Sequence, residues 1–166
     1  MGGLEVNRTK GDNDKRLMIE FASCWETKME TLEVKTARRT QFVDVTDRVR
    51  RAVAKTGVLS GVCYVYVPHT TAGVTINEHF DPDVATDLEG VFDRMVPRAW
   101  LYQHSEGNSD SHAKAAMTGT SQLIFVEDGE LALGRWQGVF FCEFDGPRER
   151  RIWVKVMGEG AREVTR

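Results

Sequence analysis

The chain predicts an α+β domain: a largely antiparallel β-sheet or sandwich with two to three helices packed on it. Three observations carry that prediction. Apolar residues alternate in about seven short stretches and recur at helical spacing in three others. Tight-turn signals, Asp128-Gly129 and Asp145-Gly146-Pro147, join neighbouring stretches of the strand type. Strands and helices do not alternate regularly and no segment repeats, which excludes a doubly wound parallel sheet and a solenoid.

Leu32 and Val34, set between charged neighbours, predict a first strand over 29–36. A short extended piece at 42–45 leads to Thr46, read as the cap of a helix with the stripe Val49, Ala52, Val53 and an end at Gly57. Arg48, Arg50, Arg51 and Lys55 then form its solvated face. The unbroken apolar run Gly61 to Val67 predicts a strand buried on both sides, stopped by Pro68. Val74 to Asn77 is again extended. Asp81-Pro82-Asp83 starts a helix whose stripe is Val84, Leu88, Val91, Phe92 and Met95, and Pro97 ends it. After a polar loop, Asn108 or Ser109 caps a short helix reaching Gly119. The rest is β: 121–126, 131–133, the aromatic run 136–144 and 151–157. Aromatic residues on both sides of 136–144 leave apolar surface over, which points to burial in an oligomer.

With 166 residues, the chain is long enough for one domain with a real core. We divide it into a loose N-terminal extension (1–28), a single domain (29–158) and a C-terminal tail (159–166). The apolar stretch 17–25 shows no clear period and is not assigned. A net charge of −3 gives no footprint for nucleic acid or an anionic membrane surface, and no apolar run is long enough to cross a bilayer. No leader is expected either. Three widely spaced cysteines, Cys24, Cys63 and Cys142, suit reduced thiols in the cytoplasm better than a disulfide frame.

The chemistry concentrates between His69 and His112, which bracket all four histidines of the chain. His104, Glu106, Asn108, Asp110 and His112 stand at every second position, and imidazole is both a metal ligand and a proton carrier near neutrality. As one strand they would span roughly 26 Å, too far for a common centre. The chain must therefore turn, at Gly107, bringing His104, Glu106 and His112 inward while Asp110 points away in the first helical turn. His79, just before a helix cap, is left out of the site.

Four separated motifs sharpen the reading: 68–78 (Pro-His-Thr-Thr-Ala-Gly-Val-Thr-Ile-Asn-Glu), Tyr102-x-His104-x-x-Gly107-Asn108-x-Asp110-x-His112, Gly134-x-Trp136-Gln137-Gly138 and 143–148 (Glu-Phe-Asp-Gly-Pro-Arg). In these the chain resembles the YjbQ family over roughly residues 30–157. The resemblance implies a compact α+β domain, a homotrimer, a cytoplasmic setting and a thiamine-phosphate synthase-like transferase activity. It implies His69, His104 and His112 as ligands of a divalent metal ion, zinc or magnesium.

Joining a pyrimidine diphosphate to a thiazole phosphate would need a cation and donors on the departing phosphates. Glu78, Glu106 and Asp110 are the candidate carboxylates for catalysis, and Asn77 would orient substrate. Thr70, Thr71, Asn108, Thr120, Ser121 and Arg148 are the candidate contacts to a small phosphorylated metabolite. The alternatives are a non-catalytic trimer that binds a metal or a small anion, and a metal-dependent hydrolase with Glu106 or Glu78 as base.

Overall fold

A computed structural model describes residues 29–160. The readings for 1–28, with Cys24 and the stretch 17–25, and for residues 161–166 of the tail lie outside the described residues. The elements run β1 (Glu30–Lys35), β2 (Gln41–Asp44), α1 (Thr46–Ala54), β3 (Val58–Tyr66), β4 (Ala72–Glu78), α2 (Pro82–Met95), α3 (Ser109–Thr118), β5 (Ser121–Glu127), β6 (Glu130–Leu131), β7 (Gln137–Glu143) and β8 (Glu149–Gly160). They form a five-stranded sheet of order β1-β8-β3-β5-β6 and a three-stranded sheet of order β2-β7-β4. Every strand pair is antiparallel. The α+β class expected from the sequence is the observed one.

Period-two alternation sets which face of each strand is buried. Leu32 and Val34 of β1, Cys63 and Val65 of β3, Ile124 and Val126 of β5, and Ile152, Val154 and Val156 of β8 face one core with Val139 and Phe141 of β7. Helix α1 adds Val49, Ala52 and Val53 to the same core. The far side of β7 sends Phe140 and Cys142, with Phe144 just beyond the strand, against Phe42, Ala115 and the α2 residues Leu88 and Phe92. The layers are therefore large sheet, small sheet, then α2 and α3. Each apolar side chain so buried contributes about 1.5–3 kcal/mol.

Two expectations about burial are reversed. The run Gly61 to Val67 is not covered on both sides: Cys63, Val65 and Val67 are buried, but Tyr64 is exposed. The strand covered on both faces is β7, where Gly138 to Glu143 are all buried. Helices and the opposite sheet cover Phe140 and Phe141, whereas Trp136 just before the strand stays exposed against Phe80. A further apolar patch lies on the outer face of β3, β5 and β8, where Tyr64, Leu123, Phe125 and Trp153 are exposed.

Caps differ in detail. Asp81 caps α2 as expected, its side chain accepting from the Asp83 N–H at 2.9 Å. Thr46 is the first residue of α1 rather than its cap, and Val45 holds the cap position. The Asp44 carboxylate accepts from both the Thr46 N–H and its hydroxyl, and the Thr46 oxygen accepts from the Val139 N–H. Those bonds stitch α1 to β7. On α2, Val91 and Met95 are exposed although they belong to the expected stripe.

Candidate functional site

The end of β7 and the start of α3 place most of the buried charge. Gly107 (φ 68°) makes the expected turn into α3. Asn108 holds the cap position but spends its amide N–H on Asp145 Oδ2 at 3.1 Å. The Ser111 hydroxyl donates to the Phe144 carbonyl at 2.5 Å, fixing α3 to the strand end. At Gly146, whose N–H donates to the Arg39 carbonyl, an added Cβ would sit 2.3 Å from the Arg38 carbonyl. Glycine thus lets the 38–39 segment lie directly on the turn, which aims Arg39 at α3.

Two charged networks result. In the first, Arg150 is clamped by Glu143 through Nε at 2.7 Å and Nη2 at 2.6 Å, and Nη2 also reaches the Thr71 hydroxyl. Glu143 is fully buried and accepts further from the Phe144 and Asp145 N–H groups and the Thr36 hydroxyl. Every oxygen lone pair that matters is engaged, as a buried charge requires.

The second network is a chain. Arg148 donates to Asp145, Arg39 bridges Asp145 (3.2 Å) and Asp110 (2.9 Å), and Lys114 links Asp110 (3.2 Å) to Asp93 (2.7 Å). Lys114 and Asp110 are almost wholly buried, with side chains 2% and 1% exposed. Burial opposes ionisation of Asp145, but hydrogen bonds from Asn108 and Arg148 and the charges of Arg148 and Arg39 outweigh it and hold the carboxyl below its ordinary value.

The chain borders a cavity of about 450 Å³ lined by Arg38, Arg39, Thr86, Asp93, Arg98 and Lys114 among others. Arg38 is spent on Glu89, which also accepts from the Phe42 N–H. Arg98 has no partner among the described residues. Two buried polar atoms of the network also lack one among the described residues, Arg39 Nε and Asn108 Oδ1.

The residues singled out from the sequence fall in several places. Asn108, Asp110 and Arg148 join the second network. Asp110 does not point away from the protein: two cations draw it into the buried interior. His104, Glu106 and His112 lie together beside it, with His104 3.6 Å from Glu106 and its ring edge-on to His112 at 5.5 Å. His104 and Glu106 are exposed, not inward.

Thr71 belongs to the first network, while Thr70 is exposed. Asn77 and Glu78 end β4 against Gly138 and Gln137, some 20 Å along the strand from Thr71 at about 3.3 Å per residue. The Asn77 oxygen is taken by the Glu78 N–H. Thr120 and Ser121 lie past the far end of α3, about 15 Å from its start.

His69 sits apart, near the β1 and β8 ends, lining a different cavity with Lys35, Glu149 and Arg151. Its Nε2 accepts from the Arg151 N–H at 2.9 Å. Burial, together with the Arg150 charge, lowers its pKa and favours the neutral ring. That ring nitrogen is therefore committed to backbone.

Sequence reasoning missed Arg39, Asp93, Arg98, Lys114, Glu143 and Arg150. A signal existed for two of them. Lys114 stands four residues after Asp110, the spacing of an ion pair on one helix face. Arg150 shares the inward parity of Ile152, Val154 and Val156.

The family model described as UPF0047 protein YjbQ-like matches residues 30–159. A UPF0047 protein of Bacillus subtilis, YugU, is 47% identical over 133 residues, 78% of this chain and 99% of its own length. One from Methanocaldococcus jannaschii is 46% identical over 127 residues, 76% and 92%. Among solved structures, an uncharacterised YjbQ/UPF0047 protein of Clostridium acetobutylicum superposes with a TM-score of 0.76 at 48% identity, covering 77% of this chain and 99% of that one. A YbjQ-like protein of unknown function from Sulfolobus solfataricus gives 0.78 at 33%, covering 81% and 99%.

These relatives overturn the expected function. Their names carry no thiamine-phosphate synthase activity and no metal dependence. Among the described residues no three His, Cys, Asp or Glu side chains stand where they could share a metal ion. The physical reason is plain for His69, whose Nε2 is held by Arg151 away from the His104 and His112 pair. Family model, identities and fold agree: the chain belongs to the UPF0047, YjbQ-like family.

Proposed function

We propose that this chain is an enzyme acting on a small phosphorylated metabolite, held in the cavity between the 38–40 segment, α2 and α3. The supporting observation is the unspent donor capacity there. Arg39 Nε is buried without a partner, and Arg98 at the same cavity has none either among the described residues. Guanidinium groups with free N–H donors facing one cavity suit a phosphate or a carboxylate. Charged groups held in a cleft by burial and specific partners are typical of functional sites.

In this reading Arg39 and Arg98 hold the phosphate. Lys114, fixed by Asp93 and Asp110, offers positive charge to the negative charge that develops during reaction. Asp110 and Asp145 keep Arg39 extended toward the cavity. The test is equilibrium binding of inorganic phosphate and a panel of sugar phosphates to the parent and to Arg98→Ala, followed by a turnover screen of whichever bind. Binding that weakens at least tenfold in Arg98→Ala supports the proposal; equal binding by both proteins, or none, rejects it.

Self-association belongs to the same proposal. The outer face with Tyr64, Leu123, Phe125 and Trp153 fits burial between copies in a homotrimer. Sedimentation equilibrium of the parent and of Phe125→Glu tests it, with dissociation of the variant expected. A cytoplasmic location fits the buried thiols Cys63 and Cys142, since burial raises the Cys63 pKa to about 12 and leaves it inert. Among the described residues no helix is long and apolar enough to cross a membrane.

A further inference from the structure

The segment 97–101 after α2 is pinned in place, yet it holds large apolar side chains in water. The Tyr102 hydroxyl donates back to the Pro97 carbonyl at 3.0 Å, and the Tyr102 N–H donates to the Trp100 carbonyl at 2.9 Å. Between those bonds Trp100 is 70% and Leu101 92% exposed, and Val91 and Met95 of α2 are exposed just before them. Trp100 has no ring partner among the described residues. The exposed pair Phe80 and Trp136 differs, because its rings pack edge to face at 5.0 Å and Arg135 lies over Trp136. A fixed segment that keeps a tryptophan and a leucine uncovered marks a surface made to be covered.

The matching surface is on the same chain. The outer face of the large sheet exposes Tyr64, Leu123, Phe125 and Trp153, and the strand register sets Tyr64 between Leu123 and Lys155. A closed ring of three copies needs each copy to meet its two neighbours through two different surfaces. The sheet face supplies one and the 97–101 segment with the outer side of α2 supplies the other. Both are rich in the aromatic and methionine side chains that interfaces favour.

Charge agrees. On the sheet face Lys155 follows Trp153 by two residues and Glu127 follows Phe125 by two, which keeps each on its neighbour's side of the strand. On α2, Asp87 and Arg94 flank Val91 at helical spacing. None of the four has an ion-pair partner among the described residues. Each surface therefore offers one free acid and one free base to the other.

The size of such a contact decides what else it covers. A stable interface takes about 800 Å² from each partner, a disc of roughly 16 Å radius. Three residue steps separate Arg98 from Leu101, at most about 11 Å. A copy seated on Trp100 and Leu101 thus also spans Arg98, which lines the Arg39 cavity and is exposed in a single copy. Taken out of water, the same guanidinium acts on a bound anion severalfold more strongly.

We infer that the outer sheet face of one copy seats on the 97–101 segment of the next, head to tail around the ring, and closes the exposed side of that copy's Arg39 cavity. This rests on the self-association and phosphate binding proposed above. It adds which surfaces meet, and that no single copy holds a complete ligand site.

Phe125→Glu spoils the sheet face and Leu101→Glu the segment, so each variant keeps the surface that the other has lost. In sedimentation equilibrium the parent is expected as a trimer, either variant alone as a monomer, and their equimolar mixture as a dimer. Inorganic phosphate should bind each monomer at least tenfold more weakly than the trimer, and the mixture should regain strong binding at one site per dimer. A Leu101→Glu chain that stays trimeric overturns the inference, because the sheet faces would then meet one another about the axis. Two monomeric variants that do not combine overturn it as well. A mixed dimer that binds phosphate no better than its monomers refutes the closed cavity. A monomeric parent fails the self-association reading itself and takes the inference with it, whereas a trimer that binds no phosphate fails the phosphate reading and takes the closed cavity with it. Circular dichroism of each variant checks its fold, and Trp100→Glu replaces Leu101→Glu if that chain unfolds.

Discussion

The two charged networks at the end of β7 use the same residue types and differ in whether they are closed. Both Glu143 oxygens are engaged by Arg150, the Thr36 hydroxyl and two backbone N–H groups, and neither Glu143 nor Arg150 retains a buried side-chain atom without a partner among the described residues. Arg39, Asp110, Lys114 and Asp145 lie one turn away, equally paired yet bordering a cavity and retaining a buried Arg39 Nε without a partner among the described residues. A saturated ion pair can only hold the fold together. One with spare capacity beside a cavity can also receive a ligand, and that difference separates the structural network from the functional one.

The contrast can be broken from either side. Glu143→Gln leaves Arg150 buried with a neutral partner, so it should cost about 3–5 kcal/mol in denaturant unfolding, whatever ligand is present. Lys114→Met removes charged hydrogen bonds from Asp110 and Asp93 but leaves Arg39 on Asp110. A loss of about 1.5–3 kcal/mol is expected, with weaker phosphate binding in the same titration. Arg98→Ala should leave unfolding within about 0.5 kcal/mol of the parent, since its side chain supports no other group, while binding falls. If Arg98→Ala instead destabilised the protein as strongly as Glu143→Gln, the distinction between the two networks would collapse.

Acid gives the smallest and most graded effect. The folded state lowers the pKa of His69 and of Asp145, so both groups take up protons more readily when unfolded. Their contribution is therefore complete above the unfolded values, about 6.5 and about 3.9, and is lost as pH falls through the folded ones. Urea unfolding at pH 7.5, 5.5 and 3.5 should show declining stability, and His69→Gln should flatten the upper part of that decline.

Much of the fold could be read from pattern because local chemistry decides it. The Asp128-Gly129 hairpin has both residues at positive φ, 52° and 82°, as an Asp-Gly turn requires. Asp81-Pro82-Asp83 starts α2 where expected. Which strand is covered on both faces could not be read, because the apolar runs of β3 and β7 look alike until the helices choose a side.

The site was legible only in part. Asn108, Asp110 and Arg148 stand out in motifs, but Lys114, Glu143 and Arg150 are charged residues that a sequence places at the surface by default. Their burial depends on partners 4 to 107 residues away, as the Lys114–Asp110 and Thr36–Glu143 bonds show. Close spacing did bring His104 and His112 side by side, but His69, implied by the family resemblance alone, is held at another edge by a backbone N–H of β8.

The most direct measurement follows the Arg39 Nε–H itself by ¹⁵N-resolved NMR during titration with inorganic phosphate and then a sugar phosphate. Saturable movement and slowed solvent exchange of that signal, reduced in Arg98→Ala, is the predicted result. A signal that stays put while the Arg150 Nε–H, or no arginine at all, responds would contradict the claim that the open network is the ligand site.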